Sequence, residues 1–159
     1  MAFGPMGIHA EVILGLDPGR DKAGFAFVGR DGGLFLSGIF PPKESTAFWA
    51  AVRTELAAGF IPWQKERSGG LFPIRFRVFR VAVGNGTCGD TLTNEAQRQV
   101  PCDVVSVDER GTTLEARDLY WRLHRPAWWQ RLLPRGLRVP PRPLDDLAAW
   151  AIALRGFDV

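Results

Sequence analysis

Sulfur and imidazole are scarce in this chain, which has two cysteines (Cys88 and Cys102) and two histidines among its 159 residues. The cysteines form no CxxC spacing and have no histidine nearby in sequence. That argues against a zinc module, and two thiols do not make a disulfide framework. They read as reduced thiols of a cytoplasmic protein. No apolar run approaches the ~20 residues that a membrane span requires. Met1–Ala10 lacks a basic stretch leading into a long apolar one, so a soluble protein with no membrane partner is expected. Lysine is also rare, at three residues against 17 arginines, with a net charge of +3. Any basic surface is therefore built of guanidinium groups, which suit bidentate phosphate contacts. Richness in Arg, Pro, Gly and Trp also follows from the coding bias of a GC-rich genome, so the placement of the arginines has to carry the meaning.

With 46% hydrophobic residues the chain can bury one sizeable core, and residues 1–159 are expected to form a single domain. Residues 12–17, 23–29 and 33–40 read as consecutive strands. They are joined by the Asp17-Pro18-Gly19 turn and by Arg30-Asp31-Gly32-Gly33, a strong hairpin signal. A helix starts at Glu44-Ser45 with Phe48, Trp49, Val52 and Leu56 at helical spacing, and Gly59 is placed to end it. Residues 60–73 read as a loop insertion. The basic and apolar alternation of Arg75 to Val83 predicts a strand ending at Gly84-Asn85-Gly86, followed by a helix over about 90–99 and a short strand from Asp103 to Val107. Thr112 and Glu115 have the spacing of a capping box ahead of the stripe Ala116, Leu119, Tyr120 and Leu123. Residues 124–143, with five prolines, form a long connection, and a last helix starts near Leu144. The order implies an α/β fold whose mixed sheet is an antiparallel three-strand meander extended by parallel strands, with helices packed on it.

Three acids stand at the expected carboxyl ends of strands or beside them, where sites gather in open α/β sheets. Asp17 ends the first strand in a glycine-rich turn, and Glu109 follows the last. The third comes from the pair Asp145-Asp146. At about 100° per residue, a stripe centred on Leu144 puts Asp145 on the flank and Asp146 nearly opposite, facing water. Asp145 is therefore the better candidate and Asp146 the alternative. Carboxylates converging without histidine or cysteine suit Mg²⁺ or Mn²⁺. Two such ions ~3.5–4 Å apart support in-line hydrolysis of a phosphodiester.

The chain resembles the YqgF/RuvX family, the Holliday-junction-resolvase-like branch of the RNase H superfamily. The resemblance lies in LDPGRDKAGFAF, VDERGTTLEA and LDDLAAWAIAL, which match in order the family's opening Asp turn, its Asp-Glu-Arg-x-Thr-Thr-x-Glu-Ala segment and its terminal Asp-x-x-Ala-Ala helix. It implies an RNase H-like fold with helices on both faces, and catalytic, metal-binding roles for Asp17, Glu109 and Asp145. Where the family has a Val-Gly-Leu-Pro turn, this chain has Val83-Gly84-Asn85-Gly86-Thr87, which is similar to the YqgF-like domain of Tex proteins.

From Arg117 to Arg142 there are seven arginines and one acid, a balance of +6 that exceeds the charge of the whole chain. Trp121, Trp128 and Trp129 interleave with them, offering faces for stacking on bases. Cover for the core and simple solvation explain the same residues. Candidate nucleic-acid contacts are Arg20, Lys22, Asn85, Arg110, Thr112 and Thr113 near the acids, and Arg131, Arg135, Arg138 and Arg142 in the arm. The strand arginines Arg75, Arg77 and Arg80 are the fallback. The leading expectation is a Mg²⁺- or Mn²⁺-dependent endonuclease acting on branched DNA or structured RNA, either in Holliday junction resolution or in rRNA processing. The alternative is a Tex-like domain that binds nucleic acid without cutting it. An actin-like nucleotide-binding fragment ranks third, since that fold needs two such domains. A homodimer is left open.

Overall fold

The computed structural model describes residues 9–68 and 75–159. The expected meander forms from β1 (His9–Asp17), β2 (Ala23–Gly29) and β3 (Leu34–Phe40), paired antiparallel in succession. Its second turn closes because Gly32 takes φ 84°, a left-handed conformation that glycine adopts freely, and because the Asp31 carboxylate accepts from the Gly33 N–H at 2.9 Å. Every residue of β2 is buried, so both faces of the sheet are covered and the strand reads as a continuous run. β5 (Arg75–Gly84) and β6 (Asp103–Val107) extend the sheet in parallel beyond β1.

Residues 60–73 depart from the expected loop. The helix α1 (Ser45–Thr54) stops at Glu55, which is left-handed at φ 58°, and not at Gly59. A 3-10 segment, Ala57–Trp63, follows and delivers β4 (Gln64–Arg67) to the free edge of β3. An all-polar Gln-Lys-Glu-Arg strand has no apolar alternation to betray it, and charge on an exposed edge is how sheets discourage further pairing. Residues 69–74 lie outside the described part. The sheet order is β4-β3-β2-β1-β5-β6.

The helices α1 and α2 (Gly89–Gln99) cover one face and α3 (Thr112–Leu123) and α4 (Asp145–Gly156) the other. The first face is aromatic. Phe27 stacks on Phe76 at 4.9 Å and Phe40 on Phe48 at 4.1 Å, each buried ring contributing roughly 1.5–3 kcal/mol. On the second face small residues lie where α4 meets the sheet. A Cβ on Gly15 would stand 2.1 Å from the Ala149 carbonyl oxygen, and one on Gly24 would stand 2.0 Å from that of Asp145. Two glycines in adjacent strands thus let α4 lie directly on the backbone of β1 and β2.

No capping box forms. The N-cap of α3 is Gly111 at φ 82°, the Thr112 hydroxyl donates back to the Glu109 carbonyl at 2.8 Å, and Glu115 pairs with Arg155. The connection 124–143 carries only single 3-10 turns at Gln130–Leu132 and Arg135–Leu137. No described helix is long and apolar enough to cross a membrane.

Candidate active site

β1, β5 and β6 are parallel neighbours, so their carboxyl ends share one edge of the sheet, where Asp17, Asn85 and Glu109 stand. The fourth contributor arrives from the other direction. Gly24 pairs with Asp17 across β1 and β2, and its bare Cα admits the first turn of α4, bringing Asp145 to the same edge.

Asp17 is held well away from the usual carboxylate range. Burial, then the negative charges of Asp145 and Glu109, raise it from 3.8 to about 7, and Lys22 offsets only part of this. Glu109 is seated over glycine. A Cβ on Gly86 would fall 1.7 Å from its Oε1, and one on Gly84 would fall 2.6 Å from its Oε2. The Glu109 Oε2 is buried and accepts no hydrogen bond. The Glu109 N–H donates to the Asn85 Oδ1 at 3.3 Å. Arg155, on the last turn of α4, donates to the carbonyls of Asp108 (2.6 Å) and Arg110 (2.8 Å) on either side of Glu109. One helix therefore carries Asp145 at its start and clamps the loop bearing Glu109 at its end. Asp145 is ion-paired with Lys22 at 3.2 Å. A pocket of about 240 Å³ opens beside the acids, lined by Asp17, Asp145, Thr113, Arg117 and Arg142 among others.

Asp146 does not face water. It is completely buried, accepting from the Ser37 hydroxyl at 2.6 Å and from Arg142 at 2.8 and 3.2 Å. The helix phase misled because Leu147 through Ala153 are all buried. With apolar contact all round, a stripe centred on Leu144 does not define a solvent side. Asp146 points to the β3–β4 edge, and it belongs to an ion network with Arg142 and Glu66, which also pairs with His124 at 2.7 Å. It is not brought to the acid site.

The expected nucleic-acid contacts divide in the same way. Arg20, Arg110, Thr113, Arg131 and Arg135 are exposed, as are Trp128 and Trp129. Lys22 is taken by Asp145, and Asn85 is exposed but accepts from Glu109. Thr112 is buried and spent on the Glu109 carbonyl. Arg138 donates to the carbonyls of Gln130, Leu133 and Arg131 at 2.9–3.1 Å, and Arg142 is bound by Glu66 and Asp146. These two arginines fasten the arm. On the fallback strand Arg75 and Arg77 are exposed, while Arg80 donates to the Gly156 and Val159 carbonyls. The residues near the site that the sequence did not single out are Glu66, Arg155 and Arg117, the last counted only as the first arginine of the arm. Only Arg117 left a signal, four residues after Thr113 on the helix that follows Glu109.

Among the described residues no three acidic, histidine or cysteine side chains stand close enough together to hold a metal ion as placed. The donor chemistry nonetheless suits a hard divalent cation. All three groups are carboxylates, one of them has a buried oxygen without a partner, and another is pushed to about 7 in part by its neighbours' charge.

No family model matches the chain, and no curated protein sequence matches it. Among solved structures, the Thermus thermophilus RuvC structure is similar over 91% of this chain and 92% of that one, with 18% identity and a TM-score of 0.44. At that level the likeness bears on neither activity nor residue roles.

Proposed function

We propose that this protein is a divalent-metal-dependent endonuclease that hydrolyses phosphodiester bonds in structured nucleic acid, branched DNA or folded RNA, and that it is a divergent relative of the YqgF/RuvX family. The observation that carries the reading is the convergence of Asp17, Glu109 and Asp145 on one sheet edge, close enough that the latter two help to raise Asp17 to about 7. Like charges gathered at a cost to their own ionisation serve a cation better than they serve the fold. Asp17, Glu109 and Asp145 would hold Mg²⁺ or Mn²⁺, which when bound as a pair supplies activation of a water and stabilisation of the leaving oxygen. The chain's own contributions are distinct. Asp17 exchanges its proton near neutrality, so cation affinity rises as pH passes through about 7. Gly84 and Gly86 seat Glu109, Arg155 fixes the loop that carries it, and the exposed arginines of the arm draw a polyanion towards the pocket.

A second reading is supported by the ion pair of Lys22 with Asp145. An ammonium already neutralising one acid suits a Tex-like domain that binds nucleic acid without turnover. The two readings separate when purified protein with Mg²⁺ or Mn²⁺ is offered a four-way DNA junction, a linear duplex and a structured RNA. Cleavage that disappears in Asp17→Asn, Glu109→Gln and Asp145→Asn establishes the nuclease. Binding without cleavage establishes the second reading, and neither binding nor cleavage refutes both.

A further inference from the structure

Five arginines of the chain are half-buried: Arg80, Arg117, Arg138, Arg142 and Arg155. Four have their guanidinium groups spent inside the fold. Arg80 and Arg138 donate to backbone carbonyls, Arg142 is held by Glu66 and Asp146, and Arg155 by Glu115 and two carbonyls. Arg117 has no hydrogen bond or ion pair with any described residue. None of its nitrogens is buried away from water, so its donors stand open to whatever enters the pocket.

Its placement is specific. Thr113, Ala116 and Arg117 occupy one face of α3 at i, i+3 and i+4. The buried Ala116 anchors that face, and Thr113 and Arg117 line the pocket that Asp17 and Asp145 also line. The pocket therefore has both carboxylates and an unspent guanidinium in its lining. Apart from Arg142, which is held by Glu66 and Asp146, the remainder is apolar, from Val139, Pro140, Leu144 and Ala148, which matches the sugar edge of a nucleic-acid strand. Its volume of about 240 Å³ lies below the ~300–1,000 Å³ of sites that enclose drug-sized ligands. One backbone linkage fits such a space better than an enclosed nucleotide.

We propose that Arg117 is the phosphodiester-binding residue of this pocket, its planar fork gripping the non-bridging oxygens of the linkage presented to Asp17 and Asp145. The proposal rests on the nucleic-acid reading above and adds the residue that fixes the substrate beside the acids.

The test is equilibrium binding of fluorescein-labelled four-way DNA junction, linear duplex DNA and structured RNA over a salt series, with Ca²⁺ present, to wild type, Arg117→Met and Arg117→Lys. Arg98→Met serves as control, since α2 packs on the opposite face of the sheet. Arg117→Met should weaken binding about tenfold or more and reduce the slope of log affinity against log salt by about one. Arg117→Lys should restore the slope, because the charge remains, but not the full affinity, because the fork is lost. The melting temperature should be unchanged in both, since Arg117 holds nothing inside the fold, and Arg98→Met should bind as wild type. Wild-type affinity and slope in Arg117→Met, while wild type binds, overturn the assignment and leave the nuclease reading standing. Failure of the wild type to bind any of the three nucleic acids overturns the nucleic-acid reading and the role of Arg117 with it.

Discussion

Replacing Asp17 by Asn should stabilise the protein at neutral pH while leaving it unchanged in acid. The folded protein holds the Asp17 proton up to about 7, whereas an unfolded chain releases it near 3.8. Between those values the native state binds more protons than the unfolded state, so this group makes stability fall as pH rises, and the fall is complete once pH exceeds about 7. The cost to the ionised folded protein is on the order of 4 kcal/mol at about 1.36 kcal/mol per pH unit. Asn carries no proton to lose and keeps the shape. The variant should therefore show none of this decline and should melt about 10 °C above wild type at a pH of about 8. Denaturant unfolding followed by tryptophan fluorescence reads the difference directly, because Trp49, Trp63 and Trp150 are buried. A divalent cation should recover stability in wild type but not in the variant, because binding to the native state alone adds stability. Parallel stability curves for the two proteins across this pH range would refute the claim that Asp17 is strained by burial and by Asp145 and Glu109.

Gly86→Ala should abolish turnover while the protein still folds, because the new methyl group would overlap the Glu109 carboxylate; full activity in this variant would show that the seat of Glu109 does not matter. Asp146→Ala should destabilise by about 3–5 kcal/mol, leaving Arg142 and Ser37 without their buried partner, and a measured loss below about 1 kcal/mol would contradict the ion network. Arg131→Ala with Arg135→Ala should flatten the salt dependence of nucleic-acid binding by up to about two. Arg138→Ala should instead expose the arm to trypsin, since it removes three hydrogen bonds to arm carbonyls; equal digestion of variant and wild type would make Arg138 a surface cation.

The meander, β5, β6 and the positions of the four helices were legible in the sequence because their signals are local. Asp31-Gly32-Gly33 turns with its own backbone and the Asp31 side chain, and Val104, Val105 and Val107 favour a strand wherever they pack. The positions of Asp17 and Glu109 at the strand ends were legible for the same reason, since each lies at or just after the end of a strand that announces itself. The strand β4 was not, since Gln64–Arg67 pairs only because the Ala57–Trp63 segment carries it to β3. Nor was the end of α1 at Glu55, where β5 intervenes: the Phe76 N–H donates to the Glu55 carbonyl at 2.8 Å, and Leu56 bridges to Arg75. The division of labour between Asp145 and Asp146 depended on what surrounds α4. Periodicity along one helix locates a face, but when sheet, neighbouring helix and edge strand together enclose it, the neighbours choose which carboxylate meets Arg142 and which meets Lys22. The arginines make the same point. They are alike in sequence, and only the packing around each one separates Arg138 and Arg142, consumed by the fold, from Arg117, whose donors remain free of the described residues.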